Sequence, residues 1–89
     1  MYKVSYTINA EKDLRNMDFK VAQRIIKKIY FFSIQKDPLK FAKRLKNAEL
    51  GTHRFRIGDY RALFDIDHSG KITLLMILKI KHRKDVYGM

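Results

Sequence analysis

Apolar residues at every second position predict strands in both halves of the chain. Near the start, the alternating apolar residues are Tyr2, Val4, Tyr6 and Ile8. This period of two is typical of a strand with one buried face. In the second half it predicts three strands, over residues 53–57, 60–66 and 72–80. Tight turns are expected at 58–59 and 68–70. Because 72–80 is apolar on both faces, it is expected to be a central strand.

The segment between these strands has the period of a helix. Asn9 is predicted to cap a short helix that ends near Met17, and Asp18 to cap a second helix that ends near Lys36. The second helix has one apolar stripe, made of Phe19, Ala22, Ile25, Ile26, Ile29 and Phe32. One or two further helical turns are expected over 41–45, before a loop near Gly51.

The order β-α-α-β-β-β predicts an α+β fold with a mainly antiparallel sheet and two helices packed on one of its faces. The length of 89 residues suits a single domain over 1–89 with one modest core. The other face of the sheet is expected to be concave or partly covered, and it is the place where a site can lie.

The net charge of the chain narrows the class of partner that it can bind. Twenty Lys and Arg against nine Asp and Glu give a formal charge of +11, which points to a polyanionic partner, nucleic acid first and acidic protein or membrane next. The absence of cysteine excludes a thiol nucleophile, a disulfide and a thiolate metal site. No apolar run resembles a secretory leader or a bilayer span, so we expect a cytoplasmic protein.

Basic residues converge on the predicted hairpin. Arg54 and Arg56 point to one face of their strand, and Arg61 lies across the tight turn from them. Three guanidiniums this close repel one another, so the arrangement suggests a phosphate site. The alternative is that these arginines border a sheet edge and discourage edge pairing.

The end of the chain strengthens the phosphate interpretation. Lys79 and Lys81 share a face of the last strand, while His82, Arg83 and Tyr87 follow just beyond it. If the last two strands pair as neighbours, these residues come close to the hairpin. Guanidiniums bind phosphate and a tyrosine ring can stack on a base, so the two segments together predict an RNA site.

Two stretches, "HRFRIGDYRALFDID" and "ILKIKHRKDVY", resemble the RelE branch of the RelE/ParE toxin superfamily, and the predicted element order is similar over nearly the whole chain. The resemblance implies a RelE-like fold and the toxin of a type II toxin–antitoxin pair. Such a toxin is an endoribonuclease, or mRNA interferase, that inhibits translation by cutting messenger RNA in the ribosomal A site. It needs no metal or cofactor, and a cognate antitoxin silences it.

The resemblance also assigns roles to residues. Arg61 falls at the family's phosphate-binding arginine and Tyr87 at its functional tyrosine. Arg54 and Arg56 match a basic pair that is lysine in some members. The basic segment before the tyrosine contains Lys81 and Arg83, and either can carry the family role. The antitoxin is expected to be acidic and to lay an amphipathic helix or strand over the sheet or helices.

Metal-free RNA cleavage uses the 2′-hydroxyl as nucleophile, so the protein must accept its proton, stabilise the phosphorane and protonate the leaving oxygen. Arg61 and Arg83 are expected to stabilise charge, and Tyr87 to orient a base or stack on it. Arginine practically never deprotonates, which removes Arg54 and Arg56 as proton acceptors. His82, whose cationic neighbours disfavour a protonated ring, is a candidate base; the alternative is a strand-end histidine bonded to backbone.

Two other functions fit the sequence. A ParE-like inhibitor of DNA gyrase needs no RNA-cleaving site, so its toxicity should survive changes at Arg61 and Tyr87. A non-catalytic RNA- or ribosome-binding module should bind RNA with strong salt dependence and leave it intact.

Overall fold

The computed structural model describes residues 1–46 and 48–87, with Ala48, Val86 and Tyr87 described by their backbone alone. The strands are β1 (Tyr2–Tyr6), β2 (Ala42–Arg44), β3 (His53–Ile57), β4 (Tyr60–Ser69) and β5 (Ile72–His82). The α-helices are α1 (Ile8–Arg15), α2 (Phe19–Ser33) and α3 (Arg83–Tyr87). Short 3₁₀ turns occupy Pro38–Phe41 and Ala48–Leu50.

The strands form one sheet in the order β1-β5-β4-β3-β2. β5 runs parallel to β1 and antiparallel to β4, and the β4–β3 and β3–β2 pairs are also antiparallel. The predicted α+β class and mainly antiparallel sheet are therefore confirmed. The prediction that the last strand is central is also confirmed, because β5 lies between β1 and β4.

The core lies between α2 and one face of this sheet. From α2 it receives Ala22, Ile25, Ile29 and Phe32, and from the sheet Phe55, Ile57, Ala62, Phe64, Leu75, Ile77 and Ile80. Burying one large apolar side chain of this kind stabilises a fold by about 1.5–3 kcal/mol. The stripe predicted on α2 was too wide: Phe19 is 71% exposed and Ile26 is 42% exposed. Ile26 follows Ile25 by about 100° around the helix, so it turns away from the sheet.

Three local predictions were wrong. Thr7, not Asn9, caps α1: its Oγ1 accepts a hydrogen bond from the Ala10 backbone N–H. The helical turns expected over 41–45 are instead β2, a three-residue strand that forms by pairing with β3. The last hairpin turns at residues 70–71 instead of 68–70, since β4 continues to Ser69. The Asp18 cap of α2 is confirmed.

Candidate nucleic-acid interface

Strand pairing places the predicted basic residues in two rows across the sheet. In the first row Arg56 pairs with Arg61, which pairs with Lys81 on its other side. In the second row Arg54 and Lys79 pair with Leu63 from either side. Directly paired residues point to the same face of a sheet. We call this the cationic face, defined by Arg54, Arg56, Arg61, Lys79 and Lys81.

The cationic face is the one turned away from α2. Along β3 and β4, the neighbours of its members are Phe55, Ile57 and Ala62, all of which belong to the core beneath α2. Because side chains alternate along a strand, the residues between them must point to the other side. At the centre of the cationic face Leu63 is fully buried, which agrees with the expectation that this face is partly covered.

A bulge in β5 brings the lysines to this face. Ile77 and Ile80 both enter the core, although they are three positions apart and a regular strand would separate them. The register shifts between Leu63 and Phe64, which pair with Lys79 and Ile77, so Leu78 is the extra residue. In a regular strand after Ile77, Lys79 and Lys81 would point towards the helices.

Arg61 is part of the first row but is enclosed. It is 2% exposed, and its Nη1 donates hydrogen bonds of 2.9 Å to the carbonyl oxygens of Gly58 and Tyr60. The guanidinium thus supports the β3–β4 turn, where Gly58 has a φ of 59° that favours glycine. The sequence predicted the position of Arg61 in the sheet, but not that its side chain also holds the turn.

The beginning of α3 is attached to the same turn. The Arg83 backbone N–H donates to the Asp59 carbonyl at 2.7 Å, and its Nε lies 3.6 Å from Asp59 Oδ1. The predicted proximity of the tail to the hairpin is therefore confirmed for Arg83. The side chain of Tyr87 lies outside the described part of the structure.

His82 lies on the opposite face from the lysines. It pairs with Tyr60, and the two rings meet edge to face at 5.4 Å. Its Nδ1 accepts a 3.2 Å hydrogen bond from the Lys84 backbone N–H. His82 nevertheless lines one groove with Lys79 and Lys81. Its bond to the Lys84 N–H is the backbone bond considered as the alternative.

No carboxylate of the described residues forms an ion pair with Arg54, Arg56, Lys79 or Lys81. Asp59 contacts Arg83, and Asp65 accepts a 2.9 Å hydrogen bond from the Thr52 backbone N–H. Like charges directly opposite each other destabilise a sheet. A bound polyanion would remove this repulsion.

One basic residue of the cationic face was not predicted from the sequence. Lys43 in β2 pairs with Arg54 and extends the second row to the sheet edge. Phe41, Lys43, Arg54 and Arg56 line a groove of about 200 Å³ there. The strand signal of β2 was not recognised because the segment is three residues long and was interpreted as helical.

In the described ranges, no three His, Asp or Glu side chains are grouped so as to hold a metal ion. Of the helices that the structure describes, none has the length and apolarity to cross a membrane.

The family model for the ParE toxin of type II toxin–antitoxin systems matches residues 4–87. Toxin RelG of Mycobacterium tuberculosis is 31% identical over 86 residues, which are 97% of this chain and 95% of that protein. Toxin RelE of the same organism is 33% identical over 66 residues, or 74% of this chain and 67% of that protein.

Among solved structures, the RelBE2 toxin–antitoxin complex from Mycobacterium tuberculosis contains a chain with a TM-score of 0.68 and 27% identity. The similarity covers 92% of this chain and 98% of that chain. The family match spans nearly the whole fold, including the β3–β4 hairpin and β5. The chain therefore belongs to the RelE/ParE superfamily, the toxins of type II toxin–antitoxin systems.

Proposed function

We propose that this toxin is a ribosome-dependent endoribonuclease that cuts messenger RNA in the ribosomal A site by attack of the 2′-hydroxyl, without a metal. The observation that carries the proposal is the row of Arg56, Arg61 and Lys81 across three adjacent strands. No described carboxylate forms an ion pair with Arg56 or Lys81, so the phosphates of an RNA strand can bind there. The similarity to toxins RelG and RelE supports the same activity class.

In this mechanism the second row positions the substrate. Arg54 and Lys79, with Lys43 at the edge, hold backbone phosphates on either side of the scissile bond. Arginine suits this role because its planar donor set matches phosphate oxygens. The Leu63 side chain between Arg54 and Lys79 gives the two cations a rigid apolar support.

The first row acts on the reacting phosphate. The 2′-oxygen attacks phosphorus and the bond to the 5′-oxygen breaks, which leaves a 2′,3′-cyclic phosphate and a 5′-hydroxyl. Arg56 and Lys81 stabilise the phosphorane charge, and Arg61 adds its charge from within the sheet. Of these three groups, the Lys81 ammonium is the one suited to donate a proton to the leaving 5′-oxygen, since guanidiniums stay protonated, and the 2′-hydroxyl proton passes to solvent. Arg83, which contacts the β3–β4 turn, is the alternative residue for the role of the basic segment before the tyrosine.

The role proposed for Tyr87, to orient a base or stack on it, rests on the family resemblance. Tyr87→Phe keeps an aromatic ring and removes the hydroxyl, whereas Tyr87→Ala removes both. Base–aromatic stacking contributes roughly 1–3 kcal/mol per base. If stacking is the role, Phe keeps most of the single-turnover cleavage rate and Ala loses it. If the hydroxyl transfers a proton, both variants lose it.

The experiment that tests the class is inducible expression in a bacterium, followed by mapping of new 5′ ends on messenger RNA. We expect cuts within translated codons for the parent and for the charge-matched control Lys36→Gln, and far fewer for Lys81→Gln. Lys36 is exposed and follows α2, away from the cationic face. An unchanged pattern of 5′ ends on induction of the parent, despite growth arrest, would contradict the proposal.

We also propose a cognate antitoxin as the partner. The support is the type II family match and the RelBE2 structure, which is a toxin–antitoxin complex. A charge of +11 favours an acidic partner. Co-expression with a small acidic protein encoded next to the toxin should restore growth and yield a co-purifying complex. The absence of any neighbouring protein that neutralises the toxin would count against this part.

A ParE-like gyrase inhibitor is the second candidate, because the matching family model is that of ParE toxin. It predicts inhibition of DNA supercoiling by the purified protein, and toxicity that survives Lys81→Gln. A non-catalytic RNA-binding module is the third. It predicts salt-dependent RNA binding by the parent with no new 5′ ends.

A further inference from the structure

The bulge of β5 needs partners that a regular strand would not need. β1 runs beside β5 as far as the Tyr6–Ile77 pair, and the Thr7 backbone N–H still donates to the Ile77 carbonyl at 3.0 Å. Beyond this point β1 has ended and α1 has begun. The backbone groups on that side of β5 at Leu78 and Ile80 have therefore lost their neighbouring strand. Buried backbone groups of this kind require other hydrogen-bond partners.

Two side chains next to or within α1 provide these partners. The Thr7 hydroxyl donates to the Leu78 carbonyl at 2.8 Å while accepting from the Ala10 N–H, and the Asp13 Oδ2 accepts from the Ile80 N–H at 2.9 Å. The two bonds lie on either side of the register shift that exposes Lys79 and Lys81 on the cationic face. Both connect residues roughly seventy positions apart in the chain.

The opposite side of the bulge is closed by a loop. Gly51 has a φ of 120°, and a Cβ added there would meet Leu78 Cδ1 at 3.1 Å and the Phe64 carbonyl oxygen at 3.2 Å. The loop can therefore approach the bulge this closely because residue 51 has no side chain. The extra residue is held between this loop on one side and Thr7 on the other.

We propose that Thr7 and Asp13 are positioning residues that fix the bulge and thereby hold Lys79 and Lys81 on the cationic face. The inference rests on the proposed function, since it assigns a role to the faces of the two lysines. Among the described hydrogen bonds, these two are the only ones that side chains make to the backbone of residues 78–80. Without them, the ammonium groups of Lys79 and Lys81 lose their fixed distance from Arg56 and Arg61.

The first measurement is hydrogen exchange of the Ile80 amide by NMR, which does not depend on activity. Asp13→Ala removes the acceptor, and loss of a hydrogen bond to a charged group corresponds to roughly a tenfold faster exchange or more. Asp13→Asn keeps an acceptor oxygen and should restore most of the protection. Unchanged Ile80 exchange in Asp13→Ala would overturn the inference.

The second measurement is the salt dependence of binding to a short single-stranded RNA oligonucleotide. Each lost phosphate contact reduces the slope of log K against log salt by about 0.7. We expect Thr7→Val to reduce this slope by about 1.4, the loss of two contacts, and Thr7→Ser to restore it. A slope equal to the parent's in Thr7→Val would overturn the positioning role.

Thr7→Val also removes a helix cap, so the control must lose a cap elsewhere. Asp18 caps α2 by accepting from the Lys20 and Val21 N–H groups and has no bond to β5. Asp18→Ala should lower the melting temperature by an amount similar to that of Thr7→Val, while leaving the salt slope and Ile80 exchange at parent values. A slope that falls equally in Asp18→Ala would assign the effect to stability and overturn the proposal. A parent that fails to bind RNA would instead overturn the proposed function, and Ile80 exchange would still decide whether the two residues hold the bulge.

Discussion

The two faces of the sheet use the same strands for opposite purposes. On the face beneath α2, Phe55 stacks on Phe64 at 4.4 Å and meets Phe32 at 4.8 Å, with all three rings buried. On the cationic face, Arg56 and Lys81 pair with Arg61 from either side. No described carboxylate forms an ion pair with Arg56 or with Lys81. The first arrangement stabilises the protein by burying apolar surface, whereas the second places like charges opposite one another, which disfavours pairing in a sheet.

Truncating the core should have the largest effect on stability. Phe55→Ala removes a fully buried ring and should lower the free energy of unfolding by about 3–5 kcal/mol. The adjacent Arg54→Ala, on the cationic face, should change it by about 0.5 kcal/mol or less. Urea unfolding of both variants measures the contrast. Similar losses at the two positions would show that the faces do not divide stability and binding as described.

Arg61 belongs to the cationic face and also supports the β3–β4 turn, so its loss should affect both cleavage and stability. Arg61→Ala should slow single-turnover cleavage by about 10²–10³, the effect of removing one charge-stabilising group. It should also lower the melting temperature, because the carbonyls of Gly58 and Tyr60 lose their donor. Arg61→Lys keeps a cation but not the two-carbonyl contact, so it should lose stability with a smaller loss of rate. Parent-like cleavage by the Ala variant would remove Arg61 from the site.

Neutralising the first row should weaken binding without weakening the fold. The double variant Arg56→Gln/Lys81→Gln removes two like charges that flank Arg61, and should raise the free energy of unfolding by about 0.2–1 kcal/mol. RNA affinity should fall, with a salt slope smaller by about 1.4. The control is Lys12→Gln/Lys36→Gln, which changes net charge equally at exposed positions outside the sheet. Equal loss of affinity in both would indicate a response to net charge alone.

The smallest effect on stability is expected from a change in pH, through His53, whose ring stacks on the core residue Phe64. Burial lowers the pKa of His53 below that of an ordinary histidine, the charge of Arg44 lowers it further and the charge of Asp65 opposes both. The unfolded chain therefore binds more protons below about pH 6.5, so stability should fall as the pH drops through this value. His53→Phe keeps a ring against Phe64 and should show a weaker fall between about pH 7 and about pH 5. Thermal unfolding at the two pH values measures it, and identical slopes would contradict the expectation.

Sequence patterns predicted the features that depend on neighbouring residues. The alternation around the Gly58-Asp59 turn placed Arg54, Arg56 and Arg61 on one face, and the register confirms it. The Asp18 cap was recognised for the same reason, since the N–H groups it binds lie two and three residues away.

The features that were missed depend on distant parts of the chain. Thr7 and Asn9 are both good capping residues, and the choice of Thr7 is reinforced by its bond to Leu78, 71 positions away. β2 exists because β3 pairs with it, so three residues of local pattern could not identify it. His82 was expected close to the hairpin and does pair with Tyr60, but the bulge, which the local pattern did not show, turns it to the face opposite Lys81.

The position of β5 also determines when the protein can fold. β1, the first strand to be synthesised, has β5 as its only partner in the sheet, and the Thr73 N–H donates to the Met1 carbonyl at 2.8 Å. Closing this contact requires a chain loop of about seventy residues, and long-range pairing of this kind slows folding. Until residues 72–82 have left the ribosome that makes them, β1 has no neighbour and β4 has lost one of its two. The sheet is therefore completed only after residues 72–82 have emerged, so a product lacking β5 would have neither the strand that joins β1 to β4 nor the two lysines.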